Sequence, residues 1–327
     1  MLTFVVRRIL IAVPVLLISS MIVYALVAAA GNPLAQLEGR NPPVPQAVIQ
    51  LRRNQFNLND PLPVRYLKWL GDFVRGDFGK SLQFAGLDVR ADLFARLLVT
   101  ARMVILAILL AVVLAVVTGV LSATKQYSAL DYGFTSLGFL FLSVPVFFFA
   151  GIIKDLAIRF NQRSGSQVFY TIGEATPGLS GGFFTRLSDY AGHLILPTIA
   201  LAVINYAAWS RYQRSSMLDV LNSDYLRLAR AKGLSRGRVL VRHGLRTALI
   251  PLTTVVAIDI GGVLGGAVLT ERVFAWHGMG EMLLQSVTNQ DINRVLAWLM
   301  ISAVIVILFN LVADVLYAFL DPRIRYA

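Results

Sequence analysis

The sequence of 327 residues has no cysteine, only three histidines and little charge. Without cysteine there are no disulfides, no thiolate nucleophile and no Cys-based zinc site. His193, His243 and His277 are scattered along the chain, and no two have the spacing of a metal-binding motif. Charged residues make up 15% and hydrophobic residues 57%, whereas a soluble domain carries about 25% charged residues. A larger core does not explain the shortfall, because single cores stop growing at about 250–300 residues. Burial in a bilayer does, and the mean hydropathy of +0.67 agrees. The formal net charge of +12 would suit nucleic acid in a soluble protein. In a membrane protein it more often marks basic cytoplasmic loops, so its location decides.

Six runs approach the roughly 20 mostly apolar residues that a membrane helix needs. They are Ile9–Ala30, Val99–Ala123, Tyr132–Ile158, His193–Trp209, Leu249–Leu269 and Val295–Leu320. The first follows Arg7 and Arg8 as a signal peptide would, but its length predicts a retained span. The fourth contains Pro197 and Asn205, which are tolerated where a neighbouring helix or a cavity satisfies the backbone. The expected fold is an all-α membrane protein. Its divisions are a first span at 1–30, an extracytoplasmic segment at 31–95, a core at 96–320 and a cytoplasmic tail at 321–327.

Basic residues in short loops set orientation. The segment Arg211–Arg246 carries nine Lys and Arg against Asp219 and Asp224, which predicts that it faces the cytoplasm. Arg7, Arg8, Lys125, Arg323 and Arg325 agree if both termini lie inside. The loop Phe274–Asn293 has no Lys or Arg, as expected outside. Gly31–Leu98 also falls outside despite Arg52, Arg53 and Arg65, since long translocated segments largely escape the charge rule. Within it, Pro42, Pro43 and Pro45 mark an irregular stretch. Short helices are expected near Ala47–Phe56 and over Val64–Phe73, where Tyr66, Trp69 and Leu70 share a face. That face suits an interfacial aromatic belt better than a ligand site. In Asn161–Tyr190, Gly178, Gly181 and Gly182 imply turns and not a phosphate cradle, because the Lys-Ser/Thr ending of a nucleotide loop is missing.

The most informative stretch is Asn222–Pro251, NSDYLRLARAKGLSRGRVLVRHGLRTALIP. Asn222, Ser223 and Asp224 offer N-cap chemistry, and Tyr225–Lys232 are mostly strong helix formers. Gly233 fits a helix end that needs a left-handed residue, and Ser235 suits the cap of a second helix. A short surface helix joined to spans on both sides would transmit a push as a rigid body. Ala229 and Ala231 are small enough to seat in a partner's groove. From composition alone, a solvated basic loop that sets topology explains the segment better, since basic inside loops are common.

The order of residues separates the two. Asp224, Tyr225, Arg227, Ala229, Arg230, Ala231, Lys232 and Gly233 lie in a stretch that resembles the "EAA loop" of ABC importer permeases, in the form of the dipeptide and oligopeptide branch. Arg227 stands where the founding Glu would be and Leu228 where the first Ala would be, a departure usual in that branch. The resemblance covers essentially the whole chain. It includes Arg7-Arg8, Asp60-Pro61, Arg65-Tyr66, Trp69-Leu70, Gly76-Asp77-Phe78-Gly79-Lys80-Ser81, Pro145 and Leu196-Pro197. It continues through Gly266-Ala267, Glu271 and Phe274, Asn310–Asp314 and Asp321–Tyr326. Trp276-His277-Gly278-Met279-Gly280 is similar to actinobacterial oligopeptide permeases, although the branch more usually has Pro-Gly at His277-Gly278.

The resemblance implies a type I ABC importer transmembrane domain with about six helices in a bacterial cytoplasmic membrane. It implies a peptide substrate, a second homologous permease, cytoplasmic ATPase domains (fused or separate) and an extracytoplasmic binding protein, all in membrane lipid and without nucleic acid. The chain is expected to bind no cofactor, since ATP and Mg belong to the partner ATPase and no Walker loop is present. Dipeptides, glutathione and nickel chelates are alternative cargoes within the same branch.

Several polar and small residues sit within spans. Asp259, Asn310 and Asp314 are candidates for a translocation path. Asn310, Asp314 and Tyr317 share a helical face and equally suit a structural hydrogen-bond cluster. Gly261, Gly262, Gly265 and Gly266 form small-xxx-small pairs that suit close packing against a neighbouring helix, one of a second permease included, or else give flexibility for gating. His193 and His277 are expected at the membrane boundary as polar contacts. An ion-coupled secondary transporter is the rival class, with only Asp259 and Asp314 in its favour and no internal repeat. An intramembrane enzyme would need a catalytic constellation, and neither HExxH nor G-x-S-x-G occurs.

Overall fold

The computed structural model describes residues 2–39, 41–84 and 86–320, with the side chains at 2–9, 36, 266 and 313–320 outside the described set. In chain order the helices are α1 Leu2–Ala29, α2 Ala35–Glu38, α3 Gln46–Gln55, α4 Leu62–Val74, α5 Val89–Thr124, α6 Ala129–Ser143 and α7 Val146–Ser164. There follow α8 Phe183–Leu221, α9 Asp224–Ala231, α10 Arg236–Arg238, a π-helical segment Val239–Leu245, α11 Arg246–Phe274, α12 Met279–Thr288 and α13 Ile292–Leu320. No strand occurs among the described residues.

Among the described residues, five helices are long and apolar enough to cross a bilayer, within α1, α5, α8, the α10–α11 run and α13. The third expected span is not one straight helix. It is divided into α6 and α7, bent by 105°. Val144 between them is extended (φ −103°, ψ 123°), because the ring of Pro145 clashes with a helical residue before it. The pair makes a sixth candidate span. α8, with 39 residues, is about 58 Å long at 1.5 Å per residue, so it projects well beyond a hydrocarbon core of about 30 Å.

The chain forms two compact units. Among the described residues, one gathers those up to Val99 with His277–Ile305, and the other gathers Thr100–Trp276 with those from Val306 to Leu320. In the first, α4 lies against α1, and Tyr24, Tyr66 and Trp69 are buried together with Leu296. Tyr66 and Trp69 therefore face the protein's own core and are not an exposed aromatic belt. In the second, α8 is the hub, packed by α6, α7 and α11. Small residues permit the closest approaches. A Cβ on Gly119 would stand 2.9 Å from the side chain of Gln213.

Candidate functional site

The segment between α8 and α11 is built on a two-faced helix. Leu226 and Ala229, three residues apart on α9, are buried in a cluster with Ala123, Met217, Val220, Val239 and Ala248. Gly244 makes room for this seat, since a Cβ there would lie 3.1 Å from Met217 Cε and 3.6 Å from Leu226 Cδ1. The opposite face is open. Tyr225 is 43% and Leu228 57% exposed, and Asp224, Arg227, Arg230, Ala231 and Lys232 are exposed beside them. The expectation that Ala229 and Ala231 look outward together is thus half wrong. With about 3.6 residues per turn, positions 229 and 231 fall on different sides, and Ala229 belongs to the inner one.

The ends of α9 are fixed in different ways. Ser223 occupies the N-cap, but its hydroxyl donates to Val220 O at 2.5 Å and not toward the helix. Arg227 pairs with Asp224 at 3.5 Å on the exposed surface, which adds little stability. After the C-cap Lys232, Gly233 turns the chain at φ +80°. Nothing lies within 4 Å of a Cβ built there, so the backbone conformation alone calls for glycine. Ser235 stands before α10 without a side-chain cap. The π-helical turn then buries Val239 and leaves Val241 exposed, a register shift typical of functional sites.

Not all of Arg211–Arg246 is a hydrated loop. Arg214 lies on α8 and grips Asp131 of α6 through Nε to Oδ1 (2.7 Å) and Nη2 to Oδ2 (2.8 Å). Ser122 donates to Oδ1 and the amide of Tyr127 to Oδ2 at 2.9 Å. This clamp ties α5, α6 and α8 together next to the α9 seat. Sequence reading missed it, because Arg214 looked like one more loop arginine and Asp131 lay just outside an apolar run.

Asp259 on α11 is half-buried and accepts the indole N–H of fully buried Trp209 at 2.8 Å. Its first task is to satisfy that donor. Asn310 is half-buried on α13, whereas the side chain of Asp314 is outside the described residues. Gly261, Gly262 and Gly265 are exposed on α11; a Cβ on Gly262 or Gly265 would meet nothing within 4 Å, and one on Gly261 only Val306 at 3.8 Å. Ile258 and Leu269 are exposed on the same helix. The surroundings of Gly266 lie outside the described set. His193 is buried and stacked on Tyr170 at 4.2 Å, so its polar contacts are made inside the protein. His277 pairs with Glu281 at 2.7 Å.

The first unit holds an ionic network that was not legible in the sequence. Arg294, 1% exposed, donates to Asp92 Oδ2 at 2.7 Å, and Arg96 donates to Asp92 Oδ1 at 2.8 Å. Arg96 also reaches Glu281 at 3.2 Å. Asp291, fully buried, accepts from the Ser81 hydroxyl and from the amide of Arg294. Burial pushes the Asp291 carboxyl above its ordinary range. No cluster suited to a metal ion occurs among the described residues.

α9 is thus a surface helix seated among helices of membrane-spanning length in the second unit. Residues 115–326 match the family described as "Binding-protein-dependent transport system inner membrane component", and residues 1–86 match its N-terminal counterpart. The chain belongs to this family and is the membrane subunit of an ABC importer, not its catalyst. Such a subunit works in a complex with an ATPase and a substrate-binding protein. It is 42% identical over 98% of both chains to the oligopeptide transport system permease protein OppB of Mycobacterium tuberculosis. It is 40% identical over the full length of both chains to the oligopeptide transport system permease protein AppB of Bacillus subtilis. To the dipeptide transport system permease protein DppB of Alkalihalophilus pseudofirmus it is 34% identical, again over both whole chains.

Proposed function

We propose that this permease carries peptides across a bacterial cytoplasmic membrane and takes force from its ATPase through α9. The observation that carries the coupling role is the division of α9 into a seated face, Leu226 and Ala229, and an open face, Tyr225, Leu228 and Ala231. The inner face fixes the helix to the spans, so a push on the outer face reaches them without loss in a loose loop. The peptide cargo rests on full-length likeness to permeases named for oligopeptides and dipeptides.

In this reading both termini and the α9 segment face the cytoplasm, following the basic residues of the short loops. A second homologous permease packs on the open glycine face of α11. ATP and Mg are bound by the partner ATPases, and the extracytoplasmic binding protein makes the first selection among peptides. ATP binding shifts the population from inward-open to outward-open states, and hydrolysis resets it. The test is uptake of a labelled peptide by the reconstituted complex. Uptake should require ATP and the binding protein. Uptake driven by a proton gradient without the ATPase would replace this reading with a secondary transporter.

A further inference from the structure

The turn between α5 and α6, residues 125–128, carries the most exposed tyrosine among the described residues. Tyr127 is 71% exposed, and its φ is +63°. That left-handed conformation is one that bulky L side chains avoid. The surrounding protein imposes it. The Tyr127 amide donates to Asp131 Oδ2 at 2.9 Å, and the same carboxylate is gripped by Arg214 of α8. The amide of Ser128 closes the turn on Lys125 O at 3.1 Å, and the Ser128 hydroxyl caps α6 at the amide of Asp131. Glycine or asparagine at position 127 would make the same amide contact without the strain. A tyrosine held in a strained conformation with its ring mostly in solvent therefore serves something outside this chain.

The turn adjoins α9. Ala123, four residues before Tyr127, is buried in one cluster with Leu226 and Ala229, so the end of α5 forms part of the seat of α9. Tyr127 and the open face of α9, with Tyr225 and Leu228, thus project at the same end of the second unit. The charge around them has one sign. Lys125 in the turn and Arg230 and Lys232 beside α9 are exposed, and none has a carboxylate partner among the described residues. Aromatic projections in a basic surround suit a partner surface of apolar pockets with an acidic rim.

We infer that Tyr127 is a second contact for the ATPase, which grips the permease at two points, the open face of α9 and the α5–α6 turn. The identity of the partner rests on the coupling role proposed for α9; the second point of grip does not follow from that role. A push on α9 alone reaches α5 and α6 only through packing. A contact at Tyr127 bears on the backbone held by Asp131, and so passes to α6 directly and to α8 through Arg214.

The test is photo-crosslinking in the assembled importer, with p-benzoylphenylalanine placed singly at Tyr127, at Leu228 and at Phe184. Phe184 is 82% exposed at the other end of α8 and serves as the control. Positions 127 and 228 should each crosslink to the ATPase, and position 184 should not. A crosslink from 228 without one from 127 overturns the second contact and leaves the α9 reading standing. A crosslink from 127 without one from 228 does the reverse. Capture of lipid or of the second permease by position 127 also overturns the second contact. Tyr127→Asn supplies an independent readout, since asparagine tolerates the left-handed backbone. It should unfold at or above the wild-type temperature, yet the immobilised importer should release its ATPase about tenfold faster, the scale of one aromatic anchor in an interface. Tyr127→Phe should release it at close to the wild-type rate. Wild-type release by Tyr127→Asn, or a lowered unfolding temperature that shows the ring to be held by this chain, contradicts the inference.

Discussion

Arg214 and Asp131 meet through two parallel hydrogen bonds of 2.7 and 2.8 Å, joining α8 to α6. Asp131 is buried, whereas the Arg214 side chain is 28% exposed. Removing the carboxylate leaves a half-desolvated cation, and solvent recovers part of the loss. Asp131→Asn is expected to cost about 1–3 kcal/mol, below the range for fully buried pairs. A double-mutant cycle with Arg214→Gln, read by thermal unfolding in detergent, should show the double variant less damaged than the sum of the singles. Additive costs would mean that the pair is not coupled.

Asp259 separates a structural acceptor from a proton carrier. Asp259→Asn keeps an acceptor for Trp209 and should transport peptide at close to the wild-type rate. Asp259→Leu strands a buried N–H and should destabilise the protein by about 1–3 kcal/mol. Unfolding and uptake of both variants check this. Loss of uptake in the Asn variant with unchanged stability would show that the ionised group itself is needed.

The contrast between these residues and the spans shows what a sequence displays. Apolar runs announce five spans plainly, because each must meet the bilayer's length requirement on its own. The helices extend beyond the runs because hydrogen bonding continues into polar residues, as α8 does from Phe183 to Leu221. The bend at Pro145 had a local cause visible in the sequence, but the hydropathy of Tyr132–Ile158 concealed it. α9 was legible from residue order, and the φ of +80° at Gly233 is the kind that the glycine suggested. Its inner face was not, since Leu226 and Ala229 are buried by residues far away in the chain. The Asp92–Arg294 pair spans 202 positions, a distance over which no single-sequence periodicity carries information.

Asp291 gives a pH signature. Its folded-state pKa is raised by burial, so the folded protein holds this proton more readily than the unfolded chain. The contribution is complete below the unfolded carboxylate value of about 3.9 and is lost as pH rises through the folded value. Asp291→Asn, which mimics the neutral acid, should therefore unfold at a temperature that falls less than the wild type's between pH 4 and pH 7. A steeper fall in the variant would reverse the sign of the argument.

Gly262 lies in open space within this chain, so Gly262→Leu should leave its fold intact. The side chain would instead wedge apart a helix packed there by a second permease. The variant should keep its unfolding temperature but lose recovery of the second permease in affinity purification. Full recovery with normal transport would place the partner elsewhere.

Force transfer through the open face of α9 is the central claim, and Leu228→Glu with Ala231→Glu tests it most directly. Both positions are exposed, so the fold and capture of peptide by the binding protein should survive. A carboxylate forced into a closed groove is poorly solvated and unpaired. Peptide-stimulated ATP hydrolysis and peptide uptake by the reconstituted importer should fall together, by about tenfold or more, the equivalent of about 1.4 kcal/mol of lost coupling. Wild-type rates of hydrolysis and uptake in this variant would contradict the account and leave the segment as a topology signal only.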